Sequence, residues 1–92
     1  MGKVIVITGG SDGLGKTLAT SLSNDNSVII LATNEERLKE VAIQNKCAYK
    51  VCDVRDYVTV ESTIKEIIYE FEKIDVLINI RLLIFIVFYI KN

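Results

Sequence analysis

The chain has 92 residues, half of them apolar, with 11 basic and 12 acidic side chains and a net charge of -1. That length sets one small domain as the ceiling, burying about two-thirds of the surface its unfolded chain exposes. The charges are interspersed, with no basic stripe and no acidic tail, so no nucleic-acid partner is expected.

Two cysteines, Cys47 and Cys52, lie in an apolar segment of a chain without histidine. This pattern fits buried thiols better than a zinc site or a disulfide framework, and no metal site is expected. The amino terminus enters its first apolar run without a basic region and signal core, so the expected setting is reduced and cytoplasmic.

Lys3 to Thr8 is a continuous β-branched run, the signature of a central parallel strand covered on both faces. Glycines follow at 9, 10, 13 and 15, and then Leu14, Leu18 and Leu22, with Ala19 beside them, recur at helical spacing until Asn24 to Ser27 stop the pattern. A second strand is predicted over Val28 to Ala32. Asn34 then caps a helix with Glu35 and Glu36 in its first turn, where the dipole favours acids. Leu38, Val41 and Ala42 form its inner stripe, and Glu35 and Lys39 pair outside.

A third strand is predicted from Cys47 to Cys52, ending at Asp53-Val54-Arg55-Asp56 with a capping aspartate. The third helix presents Val60, Ile64, Ile67, Ile68 and Phe71 inward and Glu61 and Lys65 outward, and Lys73 closes it. Ile74 to Ile78 makes a fourth strand. The order β-α-β-α-β-α-β with short connections implies right-handed crossovers and a parallel sheet wrapped by helices on both sides. The fold class is therefore α/β, a three-layer α/β/α Rossmann-type sheet truncated at about four strands.

After Arg81 come nine consecutive apolar residues, Leu82 to Ile90. A membrane span needs about 20, and Asp75, Asn79 and Arg81 interrupt any longer run, so no membrane span is expected. Residues 80–92 read as an aggregation-prone apolar tail outside the pattern of residues 1–79.

The glycine turn satisfies two chemistries. Gly9, Gly13 and Gly15 suit a dinucleotide turn, in which glycines allow the tight bend, the approach of backbone to a diphosphate and close helix packing. Gly10-Ser11-Asp12-Gly13-Leu14-Gly15-Lys16-Thr17 also matches a phosphate loop, with Lys16 on terminal phosphates and Thr17 on magnesium. A phosphate loop needs a second acid after an apolar strand, and Asp53 follows a run interrupted by Lys50. The rest of the chain therefore favours the dinucleotide.

Thr8-Gly9-Gly10-Ser11-Asp12-Gly13-Leu14-Gly15, Asn34-Glu35-Glu36-Arg37-Leu38, Cys52-Asp53-Val54 and Ile74-Asp75-Val76-Leu77-Ile78-Asn79 occur in that order. With them the chain resembles the short-chain dehydrogenase/reductase family over residues 3–79. The resemblance implies that Gly9, Gly13, Leu14 and Gly15 surround a diphosphate, with Ser11 and Asp12 in the same turn. It also implies that Asp53 accepts from the adenine amino group, that Val54 offers its backbone there, and that Asn79 belongs to the cofactor contacts.

An acid at the end of the second strand would grip the ribose of NAD and an arginine the phosphate of NADP; Ala32 and Thr33 are neither. Thr33 and Asn34 supply donors for a phosphate and Asp12 opposes one, so the expected cofactor is NADP or NAD with a lean to NADP.

The expected function is NAD(P)-dependent carbonyl reduction or alcohol oxidation by hydride transfer, on a small carbonyl or alcohol substrate in a full-length relative. The alternative is a small phosphate-loop nucleotide binder. The family pattern stops after Asn79, which reads as a frameshift or premature end. The family's catalytic serine, tyrosine and lysine belong to a second half that this chain lacks, so it is expected to be inactive alone. Tyr69-x-x-x-Lys73 has the spacing of the catalytic pair but lies in the third helix, ahead of the fourth strand. An oligomer is left open.

Overall fold

The computed structural model describes residues 2–9, 13–81 and 84–89, the stretch from 81 onward as backbone only. Its elements run β1 (Val4–Thr8), α1 (Gly13–Leu22), β2 (Ser27–Ala32), α2 (Glu35–Asn45), β3 (Ala48–Val51), α3 (Tyr57–Phe71), β4 (Val76–Arg81) and β5 (Ile84–Tyr89). The sheet order is β3-β2-β1-β4-β5, with the first four strands parallel. β1 sits at the centre and all five of its residues are buried, as its unbroken β-branched run requires.

The pleat divides the core. Ile5, Ile7, Val28, Ile30 and Ile78 pack with Ala19 of α1 and with Leu38 and Val41 of α2. Val4, Val6, Ile29 and Leu31 face the other way onto Ile67 of α3, with Cys52 and Ile74. Successive residues of β1 thus serve opposite layers, and each fully buried isoleucine contributes about 1.5–3 kcal/mol.

Local capping sets two helix entries. The Arg37 N–H donates to Asn34 Oδ1 at 3.2 Å, and the Thr59 N–H to Asp56 Oδ1 at 3.4 Å. Lys46 and Glu72 close α2 and α3 in the left-handed conformation, with φ of 54° and 73°. Lys73, expected as the last helical residue, lies beyond α3, and its Nζ sits 3.0 Å from Asp75 Oδ2. Lys50, which interrupts the third strand's apolar run, reaches Glu70 at 2.6 Å and Glu66 at 3.7 Å on α3, so its charge ties strand to helix.

Four expectations shift. Leu14 is 49% exposed in the first turn of α1, and Ile68 is 38% exposed at the rim of the α3 stripe, about 100° around the helix from the fully buried Ile67. The fourth strand is displaced: Asp75 precedes it and the strand runs through Asn79 and Ile80 to Arg81. Within the apolar run after Arg81, expected as a tail outside the pattern of residues 1–79, Ile84–Tyr89 forms an antiparallel fifth strand, with Val76 opposite Tyr89 and Arg81 opposite Ile84. The reason is that consecutive β-branched and aromatic residues favour a strand, and β4 would otherwise present an unpaired edge.

Among the described residues, no helix is long and apolar enough to cross a membrane.

Candidate functional site

The four parallel strands all end at one side of the sheet. There the segments after them bound a crevice of about 260 Å³. It is lined by Thr8 of β1 and Gly9 after it, Leu31 and Ala32 of β2 and Thr33 after them, Cys52 to Arg55 after β3, and Ile80 of β4. The crevice lies where the chain reverses its order across the sheet, between β1 and β4, the place at which open α/β sheets hold ligands.

Gly9 makes the floor. Its φ is +75°, and a Cβ there would stand 3.0 Å from the Ile80 carbonyl oxygen, so only glycine fits without strain. Its N–H donates to the Leu31 carbonyl at 2.7 Å, and the Cys52 N–H to that of Ala32 at 2.9 Å, which locks the three strand ends together. Gly13 has φ +52° and opens α1, while Gly15 is buried one half-turn further on. The first turn of α1 thus presents amide donors and the positive end of the helix dipole.

Thr8 is 6% exposed, and its hydroxyl makes two hydrogen bonds. It donates to Asn79 Oδ1 at 2.6 Å and accepts from the Ile80 N–H at 3.2 Å. This bond fixes which way the Asn79 amide faces, in an adjoining cavity of about 140 Å³ lined also by Val54, Val60 and Ile64.

Asp53 stands at the rim, with the Arg55 N–H 2.9 Å and Arg55 Nε 3.0 Å from its Oδ1 and Nη2 3.0 Å from its Oδ2. The Arg55 side chain, and then its backbone N–H, hold the Asp53 carboxyl down at about 2, so at neutral pH it is an acceptor only.

Of the residues expected at the site, Gly9, Thr33, Asp53 and Val54 line one crevice. Asn79 and Val54 line the cavity beside it. Gly13, Leu14 and Gly15 form the start of α1, and Asn34 caps α2. Ser11 and Asp12 lie outside the described residues. Arg55 is a residue of this site outside the expected set, and its local signal is the aspartate two residues before it, whose carboxylate accepts from the Arg55 backbone N–H. Thr8, expected as the end of the first strand, is also the group that orients Asn79.

Thr17 is the magnesium candidate of the phosphate-loop alternative, and Tyr69 and Lys73 are read from the sequence as a structural pair. The Thr17 hydroxyl donates to the Gly13 carbonyl at 3.1 Å, a bond within α1. Tyr69 is 90% exposed on α3, and Lys73 pairs with Asp75 rather than with the tyrosine.

The sequence profile of the family described as short chain dehydrogenase matches residues 3–80. That match leaves the phosphate-loop alternative without support. An uncharacterized oxidoreductase of Staphylococcus epidermidis is 36% identical over 80 residues, covering 84% of this chain and 35% of its own length. A short chain dehydrogenase structure from Bacillus anthracis superposes with a TM-score of 0.80 at 33% identity, over 86% of this chain and 34% of that one. An alcohol dehydrogenase from Thermococcus sibiricus, complexed with 5-hydroxy-NADP, gives 0.79 at 28% identity, over 84% and 36%.

The chain therefore spans about a third of the length of the relatives it matches. With its parallel strands, its glycine turn and its crevice at the strand ends, the chain belongs to the short chain dehydrogenase family.

Proposed function

We propose that this chain is the dinucleotide-binding half of an NAD(P)-dependent oxidoreductase that moves a hydride between cofactor and a small carbonyl or alcohol. One observation carries the reading: Gly9, Thr33, Asp53 and Val54, far apart in sequence, line a single crevice at the strand ends. The cradle fits a bulky anion beside it, because Gly9 has no side chain to fill the space and α1 offers its amino-terminal amides. Residues 1–79 act as the binding half-domain, and the family's profile extends one residue further, to Ile80.

In this proposal Gly9, Ser11, Asp12, Gly13, Leu14 and Gly15 hold the diphosphate, and Thr33 and Asn34 meet the adenine ribose and its phosphate. Asp53 and Val54 meet the adenine, and Asn79, oriented by Thr8, faces the cofactor's far end. The cofactor is NADP in preference to NAD. The Thermococcus relative's NADP analogue supports that order, as does the absence of an acid at Ala32 and Thr33. When bound, the cofactor supplies the hydride; this chain's residues bind and orient it, and the proton donor comes from the part of the family's fold beyond these residues.

Calorimetric titration of the chain with NADP, NAD and magnesium-ATP tests the proposal. NADP is expected to bind most tightly and ATP least. Tighter binding of NAD overturns the cofactor order, and saturable binding of magnesium-ATP alone overturns the reading. The chain by itself is expected to turn over no carbonyl with NADPH, and measurable turnover refutes that expectation.

A further inference from the structure

We propose that the outer edge of β5 is a docking surface for a second copy of this chain, and that two copies join β5 against β5 into one sheet. The inference is independent of the dinucleotide reading, since it draws on the edge of the sheet rather than on the strand ends.

β5 (Ile84–Tyr89) closes the sheet order, and among the described residues its outer edge pairs with no strand. In antiparallel pairing, alternate residues turn their N–H and C=O groups away from the partner strand. β5 pairs with β4 along all six of its residues without a bulge, so the outward groups form an unbroken row. The backbone of another strand is what matches such a row. The run Ile84-Phe85-Ile86-Val87-Phe88-Tyr89 also lacks the residues that blunt an edge, having no charge, no proline and no glycine.

The opposite edge of the sheet is built differently. β3 is four residues long and carries Lys50, which is held at 2.6 Å by Glu70 of α3. A six-residue strand from another copy would find too few partners there and a charge in the row. Head-to-tail pairing of β5 on β3, which would run on into a fibre, is thereby disfavoured.

β5 against β5 suits a two-fold axis normal to the sheet. The two strands then run antiparallel, each row satisfies the other, and the contact closes at two copies. No like charges oppose each other in the paired strands, because β5 has none. A net charge of -1 on each chain adds little repulsion. The product is one sheet of ten strands, five from each copy, with the guarded β3 at both ends.

Sedimentation velocity of the full chain in reducing buffer, over a dilution series, tests the proposal. The expected species has twice the chain's 10.3 kDa and gives way to the single chain on dilution. Ile86→Pro and Val87→Pro probe the edge. Successive residues of a paired strand direct their N–H groups to opposite sides, so one proline removes a bond to β4 and the other an outward donor. One of the two is expected to keep the wild-type circular dichroism and urea midpoint while sedimenting at half the wild-type mass. Amide exchange followed residue by residue by NMR reads the same edge without a substitution. Alternate amides of 84–89 are expected to lose protection on dilution while those of the central β1 keep theirs.

A single chain at every concentration overturns the proposal and leaves the edge to a strand of some other protein. A mass that keeps growing beyond two copies overturns it as well, by showing a contact that does not close. Dimers in both proline variants, or β5 amides whose exchange ignores dilution, place the contact elsewhere and overturn it too. Where both prolines unfold the chain, the exchange measurement alone decides. Cofactor binding is read by the separate titration above, so either proposal can fail without the other.

Discussion

Replacing Gly9 by alanine separates two costs that the structure assigns to different glycines. At φ +75° an L-residue loses about 1–2 kcal/mol to left-handed backbone. The new Cβ also meets the Ile80 carbonyl oxygen at 3.0 Å. That oxygen is backbone of β4, held between β1 and β5, so it cannot swing aside as a side chain would. Overpacking of this kind adds about 1–3 kcal/mol, for a total of about 2–5.

Gly13 is the control. Its φ of +52° incurs the same conformational cost, but nothing lies within 4 Å of the added Cβ, so Gly13→Ala is expected to cost only about 1–2 kcal/mol. Both substitutions stiffen the unfolded chain equally, and that contribution cancels in the comparison. Urea unfolding followed by circular dichroism reads the difference, with Gly9→Ala lowering the midpoint by about 0.3–1 M more for each kcal/mol that separates the variants. Equal losses, or a larger loss for Gly13→Ala, would refute the claim that the Gly9–Ile80 contact sets the shape of the crevice floor.

Thr8→Val keeps the shape of a buried side chain and removes the hydroxyl, leaving Asn79 Oδ1 and the Ile80 N–H without it. A loss of about 1–3 kcal/mol is expected in the same unfolding assay, and a neutral result sinks the orienting role of Thr8. Ile67→Ala is expected to cost about 2–5 kcal/mol because Ile67 is wholly buried under α3. Tyr69→Ala, at a position 90% exposed on the same helix, should stay within about 0.5 kcal/mol, and a large loss there would show that this tyrosine has a partner.

The Asp75 carboxyl lies below its ordinary value, chiefly through the bond from the Val4 N–H and then through Lys73. Its contribution is therefore present above about pH 3.9 and is lost as pH falls through the lower folded value. Asp75→Asn should flatten part of the acid limb of a stability–pH profile, while Asp53, held down at about 2, keeps its own share. An acid limb unchanged in Asp75→Asn would show that the aspartate is not part of it.

Much of this fold is written locally. The β-branched run of β1, the stripes of Leu38 and Val41 and of Ile64 and Ile67, and the caps at Asn34 and Asp56 depend on backbone periodicity and on bonds spanning three or four residues. Such interactions exist wherever the sequence does, so they can be found without the fold. The family resemblance draws on the same local pieces taken in order.

What the sequence did not show depends on distance. The Thr8–Asn79 and Val4–Asp75 bonds each join residues 71 apart, and the Lys50 ion pairs cross from a strand to a helix on the layer above. The fifth strand exists because β4 offers it an edge, and an apolar run cannot announce which edge it will complete. The Asp53–Arg55 bond is local and was legible in principle. Its importance was not, because only the closure of the sheet brings the end of β3 beside those of β1 and β2 and turns a short turn into one wall of the crevice.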